Sequence, residues 1–240
     1  SMTSKYQRIN QLLNEVAKDI SFSGDSWKSF LKSSAWTYKY SFEDQLLIYA
    51  QKPDVRACAE FDTWNNRLHR WINKGSKGIA LIGKDDTLRY VFDVSDTNSP
   101  SNTPFSLWTI DEIDTINLID KLEDHYEEIR IADKEDIVKA IEKFAMNIVQ
   151  DNISDYTDSL MQYNEHSELE GRELNEINNK LSAFVYKSVV YKTLTRLEIP
   201  TQEIHNEFDD ILLFNTPETM YLMGEAVSDI SESFLSQISI

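Results

Sequence analysis

The stretch SFEDQLLIYAQKPDVRACAEFDTWNNRLHRWINKGSKGIALIGKDDTLRY, residues 41–90, decides how this chain is read. It opens with Ser41 three residues ahead of Asp44, the spacing of a capping box with Asp in place of Glu or Gln. Phe42, Leu46, Tyr49 and Ala50 then share one helical face. Pro53 disfavours helical geometry in the residue before it, so the helix is expected to stop near Gln51. A short segment over 57–61 comes next, and Asp62 begins a second helical segment that is broken around Gly75. Residues 78–82 read as a buried strand. The turn Lys84-Asp85-Asp86-Thr87 reverses it, and 88–94 is its hairpin partner. The stretch is therefore a small α+β unit whose second half is basic and aromatic.

Working outward, Ile9, Leu12, Leu13, Val16 and Ile20 form one stripe of an amphipathic helix over 4–20. Gly24-Asp25 breaks it and caps a helix over 26–34 that carries Trp27, Phe30 and Leu31. The run DTNSPSNTP, residues 96–104, consists almost wholly of turn formers. It divides the chain into an α+β domain over 1–97, a linker over 98–106 and an acidic helical domain over 107–240. In that second part, Asp111 is expected to cap a helix to 125. Ile137, Ile141, Phe144 and Ile148 mark a helix over 136–149, with a polar, acidic connection after it. A long helix over 168–197 presents Ala183, Tyr186, Val190 and Leu194 on one face and is ended by Ile199-Pro200. Residues 211–214 are apolar, Pro217 opens a helix at its first position, and 226–240 form another. That pattern stops with no closing signal and Ser1-Met2 resembles a cloning remnant, so the chain is expected to be a segment of a longer protein. The expected fold class is α+β and helix-rich, with a small antiparallel sheet in the N-terminal part and a mostly helical second part.

Composition bounds the function. A chain that is 41% apolar and 27% charged is globular rather than disordered. No apolar run approaches the roughly 20 residues of a membrane span, so no membrane partner is expected. The single cysteine, Cys58, excludes an internal disulfide framework and suits a reducing, cytoplasmic location; in a short strand it reads as core. The net charge of −17 conceals an asymmetry. Residues 1–90 carry 14 Lys+Arg against 10 Asp+Glu, and residues 91–240 carry 10 against 31. Any nucleic-acid site therefore belongs to the front of the chain, because the acidic part would repel phosphates.

Single-stranded nucleic acid is held by bases stacked on aromatic faces while Arg and Lys follow the phosphates. Trp64, Trp71 and Tyr90 are the stacking candidates. Arg56, Arg67, Arg70, Lys74, Lys77, Lys84 and Arg89 are the phosphate candidates, and Lys74-Gly75-Ser76-Lys77-Gly78 could turn backbone N–H groups toward an anion. The plain alternative is that the tryptophans are core and the cations a solvated face. KGSKG is not a nucleotide-hydrolase phosphate loop: its spacing is too short, and it leads into a strand where a helix is required. His69, His125, His166 and His205 are scattered, with no HExxH, and read as ordinary surface or half-buried residues. Asp93, Asp96 and Asn98 resemble the start of a calcium loop but lack its Gly and closing Glu, so they read as turn and cap residues. The adjacent pairs Asp85-Asp86 and Asp209-Asp210 read as solvated. No metal, no cofactor and no enzymatic activity is expected.

The run YSFEDQLLIYAQKPD (40–54), Trp64-Asn65, KGSKGIALI (74–82) and YVFDVSDTNS (90–99) resemble the N-terminal domain of ArdC-type antirestriction proteins. The closer likeness is to the version at the front of large polyvalent proteins of Gram-positive conjugative elements. FNTPETMYLMGEAVSDIS (214–231) is similar to the helical region located after that domain in the same group. The resemblance implies binding of single-stranded DNA during transfer of a mobile element. The residues matching its motifs are Gln45, Pro53, Trp64, Lys74, Gly75, Lys77 and Gly78. ArdC-type proteins also carry a zinc metallopeptidase domain with HExxH; nothing in this chain matches it, so neither protease activity nor zinc is carried over. A second expectation is that the acidic residues 111–240 act as a protein-interaction or DNA-mimic module.

Overall fold

A computed structural model describes residues 3–112, 114–201 and 207–239. The N-terminal part packs α1 (Lys5–Ile20) and α3 (Phe42–Gln51) against a small sheet, with α2 (Gly24–Ser34) packed on those two helices. Ser4 caps α1 in a true capping box with Gln7. Ser23, not Gly24-Asp25, caps α2, accepting from the Ser26 N–H. Gly24 instead lies inside the helix, where a Cβ would come 2.8 Å from the Phe208 carbonyl carbon. Ser41 caps α3 as the sequence predicts, accepting from the Asp44 N–H.

The sheet has the order β1–β4–β3, with β1 (Cys58–Ala59), β3 (Ile79–Ile82) and β4 (Leu88–Asp93) all antiparallel. Beside it β2 (Trp71–Ile72) pairs with β5 (Thr97–Asn98). Asp85 and Asp86 both have positive φ, 54° and 58°, the pattern of the two-residue turn that matches hairpin twist. The outer edge of β3 is covered by a side chain. Gln51 donates to the Ala80 carbonyl and accepts from the Ala80 N–H, both at 2.9 Å, as a neighbouring strand would. The helix expected from Asp62 is only a wide turn over Thr63–Arg67; Asp62 is itself helical and caps nothing. Trp71 beyond it belongs to a strand.

In the second part, α4 (Thr115–His125) is capped by Asp114 rather than Asp111, which sits in a separate 3-10 turn. The helix α5 (Ile137–Asn152) starts at Asp136 as expected. The polar connection after it holds a further helix, α6 (Ser154–Gln162). The long helix α7 (Leu174–Arg196) begins six residues later than predicted. Of its expected apolar face Val190 and Leu194 are buried, Tyr186 is half-buried and Ala183 is exposed, while residues 188–194 are buried on every side. Such a helix shows no single stripe. Pro217 opens α8 (Pro217–Ser239), one continuous helix in place of the two expected; Ser1-Met2, Ile113, the stretch 202–206 with His205, and Ile240 lie outside the described residues.

The central α7 packs on α2, α5, α6 and α8. Trp27 of α2 lies 5.7 Å from Phe184 of α7, and Phe42 of α3 lies 5.7 Å from Tyr221 of α8. One continuous core thus joins the segments on either side of residues 98–106. Gly224 lies in this core with no room for a side chain: a Cβ there would stand 2.6 Å from Cε1 of Phe42. That ring is pinned edge-on by Phe30 and Tyr221 and is 3% exposed. Gly224→Ala is expected to cost about 1–3 kcal/mol through overpacking, despite the better helix propensity of Ala. A urea midpoint equal to that of the parent chain would contradict this.

Candidate nucleic-acid interface

The ten residues singled out in sequence separate into three groups. Arg67, Lys74, Lys77 and Lys84 are exposed and, among the described residues, form no ion pair. Trp71 and Tyr90 are the exposed rings, at 47% and 37%. Lys5 lies 4.9 Å over the Tyr90 ring, adding a cation from α1 that sequence reasoning did not single out. The glycines here have distinct uses. Gly75 has φ +85°, which only glycine adopts freely, and Ser76 closes that turn onto Asn73. Gly78 lets the chain pass close over Tyr90, since a Cβ there would meet the Tyr90 Cβ at 3.0 Å.

Trp64, Arg70 and Arg89 serve the fold instead. Trp64 is 1% exposed, donates its indole N–H to the Phe92 carbonyl at 2.8 Å and meets Phe105 edge-on, so it offers no face to a base. Arg70 donates to the Thr97 hydroxyl at 2.8 Å and to the Thr103 carbonyl at 2.9 Å, fastening the stretch after β5 to the sheet. Arg89 pairs with Asp44 on α3 and lies 3.9 Å from Glu60. Asp93 is likewise structural. It accepts from the N–H groups of Arg56, Ala57 and Ser95 and from the Ser95 hydroxyl. Burial raises its pKa, but these hydrogen bonds outweigh that and hold the carboxyl below its usual range. His69, His125 and His166 are exposed, and no group of three or more His, Cys, Asp or Glu among the described residues could hold a metal ion. No helix among them is long and apolar enough to cross a membrane.

Arg56 joins a cluster that sequence reasoning missed. Its guanidinium lies 4.1 Å over the ring of Trp36, Arg196 lies 4.8 Å from the same ring, and Arg196 lies 3.7 Å over Trp108. Arg196 also donates to the Trp108 carbonyl at 2.9 Å, and the Trp108 indole donates to the Tyr38 hydroxyl at 3.3 Å. Burial lowers the pKa of Arg196. Nearby, Cys58 is held protonated, first by burial and then by the charges of Asp93 and Asp96, which makes its thiol a poor nucleophile. Trp36, Trp108 and Arg196 lie far apart in the chain and share no spacing, so only packing unites them.

Gln45, a motif residue of the resemblance, is buried. Its amide nitrogen donates to the carbonyls of Thr37 and Tyr40 and to the Ser228 hydroxyl, and its oxygen accepts from Lys192 at 3.1 Å. Burial pushes the Lys192 ammonium down to about 7, the charge of Asp229 opposing the shift.

Comparison of the chain with protein-family models, curated proteins and solved structures returns no match.

Proposed function

We propose that this chain binds single-stranded DNA without sequence specificity, acting on the strand of a mobile element during conjugation or in antirestriction. One observation carries the reading: four exposed cations without ion pairs among the described residues, Arg67, Lys74, Lys77 and Lys84, occur within residues 67–90 together with two exposed rings, Trp71 on the two-stranded sheet and Tyr90 on the three-stranded one. Cations that answer no carboxylate are free to meet phosphates, and rings exposed beside strands are free to stack on bases. The motif likeness to ArdC-type N-terminal domains points the same way. An acidic surface over 111–240 that docks a basic protein is the second reading, favoured by the balance of 10 Lys+Arg against 31 Asp+Glu over 91–240.

The test is a fluorescence-anisotropy titration of labelled oligo-dT at several salt concentrations, with duplex DNA as control. Preferential single-strand binding is expected, with log K falling by about 0.7 per phosphate contacted for each decade of salt. No binding at low salt, where attraction is strongest, would remove the strand-binding reading and leave the acidic surface to be examined by partner capture.

A further inference from the structure

Three pockets share Trp36 and Arg56 in their walls, with volumes of about 220, 320 and 320 Å³. The first lies among Trp36, Tyr38, Trp108 and Phe105, and Arg196 also lines it. Arg196 is 3% exposed, yet among the described residues no carboxylate comes within 4.0 Å of it. The Trp36 and Trp108 rings and the Trp108 carbonyl answer part of this buried charge. With no carboxylate in contact among the described residues, positive potential remains in the hollow for an anion to meet. The hollow is also of a useful size: a cavity of about 150 Å³ accepts benzene, so 220 Å³ admits a somewhat larger planar ring. Arg guanidinium planes and indoles are both stacking partners for bases. Because Arg56 and Arg196 already lie over Trp36, and Arg196 over Trp108, a base entering here would stack on a guanidinium plane or on an indole surface that these groups leave uncovered.

We propose that this aromatic–arginine pocket binds one nucleotide, its base taken into the cleft at Trp36 and Trp108 and its phosphate met by Arg56 at the mouth. The Arg56 side chain is 54% exposed, and its carboxylate neighbour among the described residues, Glu198, is 3.9 Å away, a loose contact that a phosphate would displace. Arg196 supplies positive potential from the floor. The nucleotide comes either free from solution or as one residue of a strand. The site depends on the strand-binding reading only for the second source.

The experiment monitors tryptophan fluorescence of the full chain at low salt during titration with dTMP, thymidine, inorganic phosphate and a short oligo-dT. Saturable quenching by dTMP is expected, with thymidine and phosphate each weaker. Arg56→Ala should lower dTMP affinity about tenfold, the loss of one charge-assisted contact, and Arg56→Lys should restore part of it. Circular dichroism of both variants should match the parent chain, because this side chain is largely in solvent. An absent or unsaturable response to dTMP overturns the site, as does unchanged affinity in Arg56→Ala or phosphate binding as tightly as dTMP. Oligo-dT binding without dTMP binding removes this site and leaves strand binding intact. Binding of dTMP with no response to oligo-dT supports the site and removes the strand-binding reading.

Discussion

Changing Arg67, Lys74, Lys77 and Lys84 together to Gln is expected to lower oligo-dT affinity about 10²–10³-fold in ~0.1 M salt, the counterion-release contribution of four phosphate contacts. The salt slope should fall by about 2.8 units for the same reason. Fold stability should barely change, since all four side chains are exposed and none forms an ion pair among the described residues; surface changes of this kind stay within about 0.5 kcal/mol. Arg70 and Arg89 do not belong in the set. Replacing Arg70 would release the segment around Thr97 and Thr103, and replacing Arg89 would strand Asp44. Loss of binding would then report damage to the fold. Retention of parental affinity by the fourfold variant, with an unchanged melt, would show that the strand does not engage these four side chains.

Stability should rise with pH between about 7 and 8.5, and Lys192 is the cause. Its folded pKa is about 7, against about 10.4 for an unperturbed lysine. Below pH 7 both states carry the proton, so this residue adds no slope. Above pH 7 the folded chain has released a proton that the unfolded chain still binds, and stability grows by about 1.4 kcal/mol per pH unit. The gain to pH 8.5 is therefore on the order of 2 kcal/mol. At higher pH this rise is first cancelled, above about 8.5, and then reversed, above about 10. Burial keeps the Cys58 thiol and the Tyr40 phenol protonated in the folded chain, while the unfolded chain loses those protons above about 8.5 and 10. Lys192→Met should flatten the curve from 7 to 8.5, because Met cannot titrate. Urea melts at several pH values check this, and an identical rise in parent and variant would assign the slope to another group.

The local rules of the chain account for most of its helices and its hairpin. The Ser41 cap, the stop before Pro53, the strand pair about Asp85-Asp86 and the start of α8 at Pro217 each depend on residues within a turn of one another. Such signals survive in sequence because the interactions they describe are themselves local. Where two caps compete, the sequence points a few residues away from the true one: Asp114 takes the place of Asp111, and Ser23 that of Gly24-Asp25. The buried face of α7 is legible only in part: Val190 and Leu194 are buried as expected and Ala183 is not, since a helix surrounded by four others is buried well beyond the single stripe that periodicity finds.

The candidate site divides along the same line. Sequence by itself determined that Arg and Lys cluster in the front of the chain among aromatic residues, because composition is a property of the string. Only the tertiary structure decided which of them face solvent. Trp64 and Trp71 stand seven residues apart in one basic stretch, yet one is sealed under β4 with its N–H on Phe92 and the other is half exposed on β2. Likewise Arg67 is exposed while Arg70 is bound to Thr97. Exposure is set by what other segments bring to a residue, and those partners lie 28 and 27 positions away. The arginine–tryptophan pocket is the extreme case. Its parts come from the turn after α2, the approach to β1, the stretch before α4 and the end of α7, and long-range packing alone carries them to one place.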